Sequence, residues 1–198
     1  MAEPKPIRHA GHVEDAVEAF LRLWEETELA RVERDEGLAP RSLPTARSWN
    51  AGQVFDWQAA DHLPGVYVVG GKLAPVERRR GGLTGTQEIT VMVVCEGQAH
   101  ADSARQAKRL LTAYKTALIE HPNLGGVASD VRWNGDTHDN LKKQARRATA
   151  AQAAFTIHIP LGPYVIGPAE PPVNPYDDPP GEVLVTETVL AVEPTEAA

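Results

Sequence analysis

The run Gln87-Glu88-Ile89-Thr90-Val91-Met92-Val93-Val94-Cys95 constrains the fold of this chain most, because it is β-branched and almost wholly apolar after Ile89. Such a run predicts a central strand covered on both faces. Gly85 and Gly97 punctuate its ends. Beyond it, Ala104, Ala107, Leu111, Tyr114 and Leu118 recur every three or four residues, with Leu110 and Ala117 widening the stripe. That spacing predicts an amphipathic helix, capped at Asp102 or Ser103 and stopped near His121 by Pro122 and the Gly125-Gly126 pair. A strand, a helix lying on it and further strands describe a small α/β domain.

Two strand candidates follow the helix. Val127 to Trp133 alternates in polarity, and so does Ala148 to Pro160, where Phe155, Ile157 and Ile159 interleave with Thr156 and His158. The alanine-rich start of the second is also compatible with a helix. Between them Asn134 to Arg147 is polar and too long for a tight hairpin, which predicts a loop that is mobile or contacts a partner. On the N-terminal side, Val13, Val17, Phe20, Leu21, Trp24 and Leu29 form the apolar stripe of a helix from about Val13 to Glu33, ended by Gly37 and Pro40. Pro40 to Phe55 reads as irregular, and Gly65 to Val69 as a short strand. Gly70 to Gly85, with Arg78, Arg79 and Arg80, reads as a wide hairpin loop or a projecting arm.

After Leu161 the chain changes character. Seven prolines between Leu161 and Gly181 exclude a helix or a central strand there, and Glu182 to Val192 then resumes a strand pattern. The expected fold class is therefore α/β (α+β): a mixed, mostly antiparallel sheet of about four to five strands with helices packed on it. The organisation is a single domain over 1–160 and an extended Pro-rich arm over 161–198 that ends in a strand. An extended lead of this kind reaches a neighbouring subunit or a distant edge of its own sheet.

At 198 residues and 42% apolar content the chain can bury a self-sufficient core. Its formal net charge of −7 argues against nucleic-acid binding as the main activity, since phosphate recognition needs a basic footprint. The lone Cys95 sits in the most apolar strand and reads as a buried, inert thiol. No run approaches the roughly 18 apolar residues of a membrane span, and the N-terminus has no apolar signal core, so assembly in the cytoplasm is expected.

The chain holds little that suggests catalysis. Gly81-Gly82-Leu83-Thr84-Gly85-Thr86 lacks the Lys-Ser or Lys-Thr of a phosphate loop and leads into a strand rather than a helix. Asp136, His138 and Asp139 match no metal-ligand spacing, and no serine lies in a Gly-x-Ser-x-Gly context. The expectation is a protein that is not an enzyme, with no catalytic, metal or cofactor residues. The candidate interface residues are two basic groups, Arg78, Arg79 and Arg80, and Lys142, Lys143, Arg146 and Arg147.

The order of features resembles the tail terminator proteins of long-tailed bacteriophages. It runs from an N-terminal helix through Pro64-Gly65-Val66-Tyr67, the Ile89 to Cys95 strand and the helix ending Ala117-Leu118-Ile119-Glu120-His121-Pro122. It closes with Val131-Arg132-Trp133 and Phe155-Thr156-Ile157-His158-Ile159. The resemblance covers residues 13 to 160 and rests on order and spacing, with no diagnostic motif. It implies a structural virion protein of the tail neck, a homo-oligomer forming a hexameric ring on the last ring of tail tube protein. Such a ring stops tube polymerisation, meets the head-completion or connector proteins on its other face, and lets DNA pass through its lumen without specific binding. The alternative is a head-closure or adaptor protein of the same neck. Adaptors are mostly helical, whereas this chain has at least five strand candidates.

Overall fold

The computed structural model describes residues 10–52, 62–79, 82–143 and 146–160. All of them lie in one compact unit, Met1–Tyr164. The chain runs α1 (Ala10–Asp35), β1 (Ser48–Ala51), β2 (Gly65–Gly70), β3 (Ala74–Arg79), β4 (Gly82–Glu96), α2 (His100–Glu120), a 3-10 turn (Leu124–Gly126), β5 (Asp130–Lys143) and β6 (Arg146–Pro160). The strands form one six-stranded sheet in the order β1-β2-β4-β6-β5. On one edge of β4, β2 pairs with Ile89–Val94 and β3 with Gly82–Thr86. β6 takes the other edge from Thr84 to Glu96. Only β1 and β2 are parallel, so the sheet is mixed and mostly antiparallel, as the sequence predicts.

β4 is the centre of this arrangement because its side chains are apolar on both sides. Ile89, Val91, Val93 and Cys95 join Val66, Val68, Phe155, Ile157 and Ile159 in the main core under α1 and α2. Met92 and Val94 point the other way, into a second cluster with Tyr67, Ala148 and Ala150. Val13, Val17 and Leu21 of α1, and Leu110, Tyr114 and Leu118 of α2, complete the main core. The two helices are also tied at their surfaces by Arg31 to Glu120 at 2.5 Å and Arg109 to Glu36 at 2.5 Å.

Several boundaries differ from expectation, each for a local reason. α1 ends in a Schellman turn, in which Leu38 N–H donates to Glu33 O at 2.7 Å and Gly37 N–H to Arg34 O at 3.2 Å, with Gly37 at φ 65°. α2 begins one turn early, and its N-cap is Ala99, which offers no side chain. Asp102 and Ser103 lie in its first turn. Ser103 spends its hydroxyl on His100 O at 3.1 Å and on Thr149 Oγ1 at 2.9 Å. Within the stretch read as irregular, Ser48–Ala51 pairs with β2, and the expected Gly70–Gly85 loop is the β3–β4 hairpin.

The largest correction concerns Asn134 to Arg147. It is no loop, because β5 continues through it to Lys143 and pairs with β6 along its whole length, with a bulge between Trp133 and Gly135. The alanine-rich start of β6 is strand as well. Polar residues suit β5 because it is an outer strand, and side chains from Arg132 to Asn140 are exposed apart from half-buried Gly135. Arg80, the Pro-rich lead and the Glu182 to Val192 strand candidate lie outside the described residues.

Candidate interface surfaces

Two ends of the sheet carry the basic positions, and the pairing register separates them. Arg78 and Arg79 close β3 opposite Leu83 and Gly82, at the start of β4. Lys142 pairs with Arg147 and Lys143 with Arg146 at the β5–β6 turn. That turn lies at the other end of β4, where Gly97 N–H donates to Arg147 O at 3.2 Å. The fourteen steps from Leu83 to Gly97 rise at most about 3.3 Å each, so the two groups are separated by up to roughly 45 Å along the strand. The structure therefore brings together Lys142, Lys143, Arg146 and Arg147 but not Arg78 and Arg79 with them. Arg147, whose side chain is exposed, directs Nη1 at Gln98 O at 3.5 Å.

Sequence reading missed a third feature, on the α2 side of β5. Trp133 is 49% exposed and Ile119 44% exposed, and Lys115 lies over the Trp133 ring. The Lys115 ammonium lies 4.6 Å from the Trp133 ring centroid and 2.6 Å from Asp136, while Trp133 Nε1 donates to Asp136 Oδ1 at 2.8 Å. An indole held by a cation over its face and an anion at its nitrogen keeps one orientation while still exposed. Ile119 lies one helical turn after Lys115 on the same helix face. The signal was present as Trp133 in an alternating run. What pattern alone could not supply was the bulge at Gly135, where φ is 142°, after which the strand resumes.

Asp136 and His138 face α2, whereas Asp139 pairs with Ala150 on the opposite face, so the sheet separates these three. Among the described residues no group of three or more His, Cys, Asp or Glu is placed to hold a metal ion. Burial pushes the Cys95 thiol up to about 12, which leaves it protonated. A groove of about 520 Å³ is lined by Pro44, Arg47, Leu63, Pro64, Glu96, Gly97, Gln98 and Gln106. No His, Cys, Ser or Thr is among those residues, and no helix among those described is long and apolar enough to cross a membrane.

The charge of the chain is divided as sharply as its structure. All twenty Lys and Arg fall within residues 1–160, where twenty of the twenty-seven acids also fall. The other seven acids, from Glu170 to Glu196, lie in residues 161–198, which contain no Lys, Arg or His. The formal net charge of −7 thus belongs to the C-terminal segment and not to the folded domain.

No protein-family model and no curated protein matches this chain. Among solved structures, it is similar to a chain of the virion of a native gene transfer agent particle, at 15% identity and a TM-score of 0.38, covering 71% of this chain and 97% of that one. A second solved chain, whose description names no function, is 18% identical at a TM-score of 0.31, with 70% of this chain and 94% of that one covered.

Proposed function

We propose that this protein is a structural virion component, a tail terminator that closes as a ring on the tail tube, arrests its growth and forms the joint to the head. The observation that supports this reading is the separation of two basic groups on one subunit, with Arg78 and Arg79 at one end of β4 and the β5–β6 turn at the other. A protein held between two different partners needs two such ends, joined by something stiff. β4 and β6 supply the stiffness through an uninterrupted antiparallel ladder from Thr84 to Glu96. Lateral contacts around a ring would come from the sheet edges and the helix surfaces, repeated by rotation in each subunit.

The reading accounts for the arrangement without a pocket chemistry. The folded domain has balanced formal charge, so passage of DNA through the lumen would depend on the absence of a basic lining rather than on a strongly acidic one. The reading also makes the basic groups positioning contacts to partner proteins, with apolar anchors such as Trp133 supplying binding energy.

Electron microscopy of the purified protein mixed with tail tubes of its own particle tests the reading. The expected result is rings seated at one tube end, with tubes that no longer lengthen. Binding to head connectors with no binding to tube ends would replace the terminator by a head-closure protein, and binding to neither would overturn both.

A further inference from the structure

We propose that the outer edge of β5 receives the C-terminal segment of a second copy of this chain, with Glu182–Val192 adding to the sheet as a further strand and the acids of that segment meeting the basic β5–β6 turn. β5 is the last strand in the sheet order, fourteen residues long, and no described strand pairs with its other edge. Natural edges are usually short, bulged or covered, because a long regular one is a template for another strand. The β5 bulge lies early, at Trp133 and Gly135, and the eight residues from Asp136 to Lys143 then run in regular register. That is enough ladder for a strand of ordinary length.

The chemistry of edge and segment is complementary. Lys142, Lys143, Arg146 and Arg147 cluster where β5 ends, and residues 161–198 carry seven acids with no basic residue. Glu182–Val192 alternates Val183, Val185, Val189 and Ala191 on one side with Leu184, Leu190 and Val192 on the other. One apolar side of an added strand would continue the face of β5 that carries exposed Trp133.

Reach permits a second copy. β6 ends at Pro160, and Asp130 of β5 is already paired with His158, so the chain's own β5 edge begins about one strand spacing, roughly 5 Å, from where the lead starts. The lead Leu161–Gly181 has twenty-one residues and seven prolines, and at about 3.1 Å per residue it spans about 65 Å. A domain of this length is about 40 Å across, so the lead is long enough to leave its own subunit and lie along another. The contact goes beyond the terminator reading, since it would hold copies together whether or not they sit on a tail.

The test uses full-length variants with one added cysteine each, Thr137→Cys on β5 in one preparation and Thr186→Cys in the other, the native Cys95 being buried. Mixing the two under mild oxidation should give a disulfide-linked dimer at least tenfold above either variant oxidised alone. A chain carrying both substitutions should form ladders of linked chains. Absence of the mixed dimer, or closure of the doubly substituted chain onto itself, would overturn the proposal. As a second reading, Glu182→Lys with Glu187→Lys should lower the sedimentation coefficient relative to the unaltered protein, and Lys142→Glu with Lys143→Glu added to the same chain should restore it. Unchanged assembly in the first variant would also reject the contact.

Discussion

Four glutamates of α1 are buried, and they do different work. Glu25 Oε1 accepts from Tyr114 O–H at 2.6 Å and from Ala46 N–H at 2.7 Å, which ties α1, α2 and the approach to β1 at one atom. Glu33 accepts from Arg41 N–H at 2.8 Å and Leu43 N–H at 2.7 Å, and these bonds, led by the one from Leu43, hold its carboxyl below the usual range. Glu14 and Glu28 are shifted the other way by burial. Gly70 N–H opposes the shift at Glu14, and Arg31, 3.7 Å away, opposes it at Glu28. A carboxyl raised in the folded state costs stability while charged, and that cost disappears as pH falls from above its folded pKa toward the ordinary value of 4.5. A lowered one stabilises above the ordinary value and loses that contribution as pH falls through its folded pKa. Glu28→Gln should therefore raise the urea midpoint at pH 7, with the advantage shrinking toward pH 4.5, while Glu33→Gln should lower the midpoint at pH 7. Glu25→Ala, which strands two donors, should cost about 2–4 kcal/mol and Tyr114→Phe about 1–2 kcal/mol in the same denaturation series.

The β5–β6 hairpin contains strands of opposite character. β6 alternates fully buried residues, from Thr149 through Ala151, Ala153, Phe155 and Ile157 to Ile159, and is paired on both edges, whereas β5 is paired on one. With the outer edge of β5 unoccupied, hydrogen exchange should show β4 and β6 amides opening only with global unfolding, and β5 amides from Asp136 to Lys143 exchanging through a cheaper local opening. Equal protection across the two strands would mean that β5 is covered on its outer edge, as a docked strand would make it. This asymmetry also explains what the sequence revealed. Ile89 to Cys95, the α2 stripe and Phe155 to Ile159 announce themselves because burial imposes a period. β5 beyond Trp133 is exposed, so nothing in its residue pattern separates strand from loop, and its pairing comes wholly from β6. β1 is four half-buried residues, too few to show a period. The basic residues form two runs in the sequence, but their separation by the length of β4 depends on register, which only the assembled sheet defines.

The whole molecule joins a domain of balanced charge to a segment holding the entire formal net charge. Within the domain, the two basic groups stand at opposite ends of β4. If these ends serve different partners, their loss should be separable. Replacing Arg78, Arg79 and Arg80 by Ala should weaken attachment to one partner, tube or head, and replacing Lys142, Lys143, Arg146 and Arg147 by Ala should weaken attachment to the other, with both variants folding normally. Complementation of tail joining, scored by particles arrested as free heads or free tails, distinguishes them, and identical arrest products would contradict two-ended use. The ladder between those ends has a mechanical meaning. Thirteen residue pairs join β4 to β6 in antiparallel register. A pull along β4 that was resisted at the far end of β6 would load those hydrogen bonds together in shear rather than peel them one after another, so a joint built on this sheet would stand tension best along its strands.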